Sequence, residues 1–277
     1  MKSHKRMIVP YIVWMGILVL IPTLLMIILV FIKTDGFIFD FNNARISVYA
    51  FEKMFSSVYL RAFKDSFTLA FLATILCIIL GYPLAYVISR IKSRFKFALL
   101  LLLVFPMFTN MLLQISTIRS LFEPISILNN IGISLDINKI GTKVIVVLVM
   151  VMMYLPFMVF PIYTVLEKID PLLIEAAADL GANNFKTFTK VTLPLSMKGV
   201  SSGVIMVFLP CASGFVIPRL VSSGSGLYLI GEAIESAIIG QSIDYGLGSL
   251  LSSVILLLVL GALWLISKVD AEGETLL

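Results

Sequence analysis

Histidine and cysteine are nearly missing from this chain, and each shortage closes a class of chemistry. The one histidine, His4, sits in a basic N-terminal tail, which removes histidine-based metal sites and histidine-activated nucleophiles together. The two cysteines, Cys77 and Cys211, lie inside apolar runs, so neither a disulfide framework nor a CxxC metal site can form. Packing is their expected use. Charge is scarce as well: Asp, Glu, Lys and Arg make up 13% of 277 residues, against about 25% in a soluble domain. No acid occurs between Ser66 and Phe122 or between Leu180 and Gly231. The chain has no G-x-x-x-x-G-K-[ST] phosphate loop either. Enzymatic chemistry, a cofactor and a nucleic-acid partner are not expected.

What the chain does contain is hydrocarbon. It is 60% hydrophobic with a mean hydropathy of +1.06, the composition of a polytopic membrane protein. Apolar stretches of span length occur at residues 7–32, 66–88, 97–118, 144–166, 200–218 and 247–266, predicting six transmembrane helices in an all-α fold. Glycine or proline interrupts the second, third and fifth. The first follows Lys2, Lys5 and Arg6 as a signal peptide would, but its 26 apolar residues lack a small-residue cleavage site, so it is expected to be retained. Four of the eight residues in 89–96 are basic, namely Arg90, Lys92, Arg94 and Lys96, which places that linker and both termini on the cytoplasmic side. Residues 33–65, 119–143 and 219–246 are then outside, and 167–199 inside. The first outer loop fits less well, because Lys33, Arg45, Lys53, Arg61 and Lys64 are spread among its acids.

The inner loop 167–199 is unlike its surroundings. Asp170 is a good N-cap and Pro171 a good first helical residue. A short helix is expected to about Leu180, ended by Gly181 in a left-handed conformation. Asn183 or Asn184 would cap a second short helix over 185–193, and Pro194 would redirect the chain into the fifth span. Leu173, Ala176, Ala177 and Leu180 share one face of the first helix. Glu175 and Asp179 are four apart, a mildly repulsive pair that suits a basic partner; a plain amphipathic helix on the lipid headgroups is the competing explanation.

The segment Glu175-Ala176-Ala177, three residues, Gly181, nine residues, Val191, one residue, Leu193-Pro194 resembles the EAA loop of permease subunits of ATP-binding-cassette importers, with Val191 in place of the family's Ile. The resemblance implies a type I importer permease, one transmembrane domain over residues 1–277, in the prokaryotic plasma (inner) membrane. It further implies a coupling helix, with Glu175, Ala176, Ala177, Asp179, Gly181, Leu193 and Pro194 in the motif, docking into a separate cytoplasmic ATP-binding subunit that works as a dimer. A second permease subunit and an extracytoplasmic substrate-binding protein complete the implied complex. "GYPLAYVISR" (81–90) and "FLPCASGFVIPRLVSSGSGLYLIGEAIES" (208–236) resemble the polyamine permease family, although this chain has Asp244-Tyr245-Gly246 where that family tends to have Trp-Pro. A polyamine is therefore the favoured solute, with iron(III), an oxyanion or another small solute as alternatives and an ion-coupled secondary transporter as the reading from another class.

A path for a polycation should offer carboxylates and aromatic faces. Glu123, Asp136, Glu232, Glu235 and Asp244 are the acids available to the outer mouth, though each is also an ordinary loop residue. In the fifth span Gly203, Pro210 and Gly214 mark an interrupted helix, the best pointer to a transport path, with Phe208 and Phe215 as candidate gates. Pro210 frees a carbonyl near Met206, which Ser213 or water would satisfy. Asn110, Gln114 and Thr117 in the third span form a polar stripe suited to interhelical hydrogen bonds first and to lining the path second. Pro156 and Pro161 should mark bends only.

Overall fold

A computed structural model describes residues 2–33, 45–91, 95–121, 141–222, 226–240 and 243–274; Glu123 and Asp136 lie outside these segments. The fold is all-α. Its helices are α1 (Lys2–Val30), α2 (Tyr49–Met54), α3 (Ser57–Arg90), α4 (Phe95–Val104), α5 (Met111–Leu121), α6 (Thr142–Glu167), α7 (Pro171–Asp179), α8 (Asn184–Thr187), α9 (Leu193–Ser213), α10 (Val216–Val221), α11 (Ile230–Ile239) and α12 (Tyr245–Glu274). Strands β1 (Ile32–Lys33) and β2 (Arg45–Ile46) form a two-residue antiparallel pairing, with Ile32 opposite Ile46.

Five of the described helical segments are long and apolar enough to cross a membrane, and a sharply bent helix pair makes a sixth when counted as one span. The second expected span is a continuous helix of 34 residues that carries Pro83 without breaking. The third does break: Phe95–Phe108 and Met111–Leu121 meet at 96°. Pro106 has no N–H to give, the helix tightens to a 3₁₀ turn over Phe105–Phe108, and Thr109 is extended. Asn110 then restarts the helix, its Oδ1 accepting from Leu112 N at 2.9 Å. The Gln114 amide donates to Pro106 O and Thr109 Oγ1, while Thr117 Oγ1 donates to Leu113 O at 2.8 Å. Asn110 and Gln114 of the expected stripe thus close a local break, and Thr117 bonds back within α5, rather than bonding other helices.

The fifth span begins earlier than expected, as one helical run over Asn184–Ser213. Residues 185–193 are not a separate helix, and Pro194 does not redirect the chain. Instead a π turn spans Phe188–Thr192. Its widened ladder lies where Pro194 offers no N–H and where the proline ring would meet the carbonyl four residues back, that of Lys190. The run ends at Ser213 because Gly214 turns extended (φ −69°, ψ 141°). A β-carbon at Gly214 would lie 2.5 Å from Pro210 O. Ser213 Oγ donates to Leu209 O at 2.9 Å, so the carbonyl it satisfies is that of Leu209 and not Met206.

Two compact units are present, one of Met1–Phe63 with Ile230–Val259 and one of Lys64–Leu229 with Leu260–Leu277. In the first, Val30, Ala50 and Leu250 are buried together. Asp244 caps α12 by accepting from Leu247 N at 3.0 Å and pairs with Lys53 at 2.9 Å. Within 219–246, expected as plain loop, α11 forms because Ile230, Ala233 and Ala237 bury one helical face. In the second unit α6 and α9 pack backbone to backbone. A β-carbon at Gly199 would stand 2.9 Å from Pro161 O and Ile162 Cα, and one at Gly203 would stand 2.6 Å from Met158 Sδ. Pro161 is therefore a docking point as well as a helix imperfection. Cys77 and Cys211 are free and buried in the same core.

Candidate functional site

The loop over residues 167–199 is built around α7, whose two ends are closed by its own sequence. Asp170 is extended (φ −62°, ψ 123°) and its Oδ1 accepts from Leu172 N at 3.0 Å, with Pro171 filling a position that needs no donor. At the other end Gly181 has φ +78°. Gly181 N donates to Ala178 O at 2.9 Å and Ala182 N to Ala177 O at 3.0 Å, the paired bonds of a Schellman motif. Asn183 then caps α8, its Oδ1 accepting from Lys186 N at 2.8 Å. Of the two asparagines, Asn183 is the cap.

These caps hold a short helix whose apolar face is uncovered. Leu172, Leu173 and Leu180 are 66%, 48% and 89% exposed, and Phe185 of the neighbouring α8 is 73% exposed. Ala176, Glu175 and Asp179 are exposed too, while Ala177 is half-buried. Large apolar side chains interleaved with two carboxylates make a surface suited to a partner that is itself partly apolar and partly basic.

The seat beneath this helix is aromatic and charged. Phe188, the first residue of the π turn, stands edge-on to Tyr82 (centroids 5.8 Å, 85°) and to Tyr86 (5.5 Å, 87°) of α3. The Tyr82 hydroxyl is 2.8 Å from Ser196 Oγ, and the Arg90 guanidinium lies 5.2 Å over the Tyr86 ring. Lys96 pairs with Glu167 at 2.6 Å and lies 5.2 Å over Tyr163. A cavity of about 290 Å³ is lined by Ser89 and Arg90 of α3, Leu166, Glu167 and Ile169, and Pro171, Ile174 and Glu175 of α7. None of Phe188, Tyr82, Tyr86 or Ser196 was singled out by the motif, although the tyrosines' four-residue spacing within "GYPLAYVISR" was a readable signal. The Gly199-x-x-x-Gly203 pair at the α6–α9 contact carried one as well.

Of the residues expected along the solute path, Pro210, Ser213 and Phe215 come together. With Met111, Met150, Tyr154, Gly214, Val216, Ile217 and Pro218 they line a cavity of about 190 Å³ where α9 gives way to α10. Phe208 is not in that lining; its ring packs on Phe67 of α3, centroids 6.1 Å apart. Asn110 and Gln114 stand at the bend between α4 and α5, next to Met111 of the lining. Glu232 and Glu235 are half-buried on α11 in the other unit. Leu193 and Pro194 lie at the start of α9, just past the π turn.

Residues 78–268 match the family described as the binding-protein-dependent transport system inner membrane component. The chain belongs to that family. It is 32% identical over 271 residues to the spermidine/putrescine transport system permease protein PotB of Haemophilus influenzae, covering 94% of each chain. It is 29% identical over 270 residues to PotB of Escherichia coli, again covering 94% of each. Among solved structures, a bacterial ABC transporter involved in the import of the acidic polysaccharide alginate shares the fold, with a TM-score of 0.75 over 96% of this chain and 95% of that one at 19% identity. The protein is accordingly a multi-pass inner-membrane permease subunit of an ATP-binding-cassette importer with the type I fold, and ATP hydrolysis belongs to a separate subunit. The secondary-transporter reading falls with that membership.

Proposed function

We propose that this permease works as one transmembrane domain over residues 1–277, forming part of the translocation path for a polyamine such as spermidine or putrescine. Its coupling loop, residues 167–199, docks on a cytoplasmic ATP-binding subunit that acts as a dimer. A second permease subunit completes the path, an extracytoplasmic binding protein delivers the solute, lipid surrounds the spans, and both termini are cytoplasmic. The uncovered face of α7 carries the reading: a doubly capped nine-residue helix holds Leu172, Leu173 and Leu180 in solvent beside Glu175 and Asp179. Isolated helices shorter than about 12 residues are marginal in water. Such investment in caps fits a helix kept ready for a partner. The names of the PotB relatives support the solute class, and the lining by Tyr154 and Phe215 suits methylene chains between ammonium groups.

The test is reconstitution of the complete complex in proteoliposomes. ATP-driven uptake of labelled putrescine or spermidine is expected, and replacing Glu232 and Glu235 together by Gln should lower it. Glu175→Lys should weaken binding of the ATP-binding subunit while leaving membrane insertion unchanged, because it sets a cation against a basic surface. Uptake of iron(III) or an oxyanion with no polyamine uptake would sink the solute assignment. Unchanged ATPase binding and uptake in Glu175→Lys would sink the docking assignment.

A further inference from the structure

The π turn is a joint with a strap across it. Tyr82 of α3 touches Phe188, the first residue of that turn (centroids 5.8 Å), and Ser196 beyond its end (2.8 Å). Ser196 spends its only proton on Leu193 O at 2.9 Å, so the Tyr82 hydroxyl is the donor to Ser196. Tyr86 closes on the same Phe188 ring from one helical turn away, edge-on at 5.5 Å. Arg90, one turn further, covers Tyr86 and reaches the cavity wall formed by Ile174 and Glu175 of α7.

We propose that the Tyr82–Phe188–Tyr86 clamp is the transmission joint of this permease: it makes α3 follow the coupling helix, and opening it lets ATP be hydrolysed without moving solute. The proposal rests on the docking role assigned to α7. Its mechanical argument runs through three stiffnesses. The α7–α8 corner is rigid, since the Schellman bonds and the Asn183 cap fix the backbone between the two helices. The π turn next to it is the soft point of the run, because its hydrogen-bond ladder is out of α register. Without a strap, a displacement of α7 and α8 would be absorbed there. Phe188 at the start of the soft point and Ser196 beyond it, both gripped by one helix, instead transfer the displacement to α3. From Tyr86 to Lys64, α3 is unbroken helix, so it carries motion over roughly 33 Å.

Phe188→Leu tests this, since it keeps an apolar side chain and removes both edge-on contacts; Phe188→Tyr, which keeps the ring, is its rescue. In the reconstituted complex, Phe188→Leu is expected to bind the ATP-binding subunit with parental affinity and to hydrolyse ATP, while putrescine moved per ATP falls roughly tenfold. A solute-independent reading comes from an environment-sensitive fluorophore on Lys64→Cys at the far end of α3: ATP should change its emission in the parent and in Phe188→Tyr, and not in Phe188→Leu. Tyr86→Ala should reproduce the loss, and combining it with Phe188→Leu should add nothing, as expected of one joint. A parental ATP response of the fluorophore in Phe188→Leu overturns the proposal. Loss of ATPase binding in Phe188→Leu overturns it as well, since the ring would then serve only to shape the docking surface. Failure of the docking reading is distinct: it appears as unchanged ATPase binding in Glu175→Lys with Phe188 intact.

Discussion

Replacing Gly181 isolates backbone conformation from every other effect in the proposed coupling loop. Its φ is +78°, and a β-carbon there would meet no atom within 4 Å. A substitution therefore causes no clash, and its whole effect is the left-handed backbone, about 1–2 kcal/mol for a residue with a β-carbon. Relief comes by abandoning the two Schellman bonds at 2.9 and 3.0 Å, together worth about 1–3 kcal/mol. The two figures are matched, so the corner should open for a substantial part of the time. A penalty of about 1–2 kcal/mol shifts the closed-to-open ratio of the corner roughly 5- to 30-fold, and with the two terms matched the docking-competent fraction falls to about half and the affinity about twofold; α7, at nine residues and largely exposed, has little packing to resist it. The assay is titration of the ATP-binding subunit against the detergent-solubilised permease, followed by ATP-driven uptake in proteoliposomes. Affinity should fall in the order Gly, Asn, Ala, Val at position 181, because Asn tolerates the left-handed region and β-branched Val tolerates it least. Side-chain size or polarity would produce other orders. If Val matches Gly, or if Asn is no better than Ala, the left-handed corner is not what presents α7.

Gly199→Val should destabilise the permease by about 1–3 kcal/mol through overpacking, since its β-carbon would press on Pro161 O and Ile162 Cα, both backbone at 2.9 Å. Thermal unfolding in detergent should show a lowered midpoint, with Gly16→Val, which faces open space, as the comparison; equal midpoints would refute the close α6–α9 crossing. Asp244→Ala should cost about 1–2 kcal/mol for the lost cap and speed hydrogen exchange in the first turn of α12, with Asp244→Asn nearer the parent; exchange rates equal to the parent in both would refute the capping role. Burial is the largest single influence on the Lys53 ammonium and lowers it, but the hydrogen bond and the charge of Asp244, with Tyr49 and Tyr59, together outweigh it and hold the group above the ordinary lysine value of 10.5. Its contribution is therefore complete below that value and lost as pH rises through the raised one, which exchange measured across pH 9–12 will display (roughly the lysine range). Cysteine at position 93 should react only with membrane-permeant maleimides and cysteine at 223 with impermeant ones added outside, a clean readout because Cys77 and Cys211 are buried; the reverse pattern would invert the orientation.

Local chemistry was legible in the sequence wherever a residue type has few conformational uses. Asp170-Pro171 could start a helix and Gly181 could end one with no reference to the rest of the chain, and the structure has both. Run length and the lack of charge did the same for the spans, because a bilayer leaves a backbone few alternatives to a helix. Proline was less decisive. Pro83 sits inside an unbroken α3, Pro106 breaks the third span by 96°, and Pro194 is absorbed by a π turn. The same ring and the same missing N–H gave three outcomes, because the result depends on what else can satisfy the freed carbonyls, and that is set by neighbours. Polar side chains followed suit: Asn110 and Gln114 looked like one interhelical stripe until the bend at Pro106 brought nearer partners within reach. Only the tertiary structure could bring Tyr82 and Tyr86 to Phe188 across about a hundred residues, or set Gly199 on Pro161. Caps and spans are short-range bargains between a residue and its own backbone, whereas a clamp or a crossing is decided by which helix faces meet, and composition is silent on that until the chain has folded.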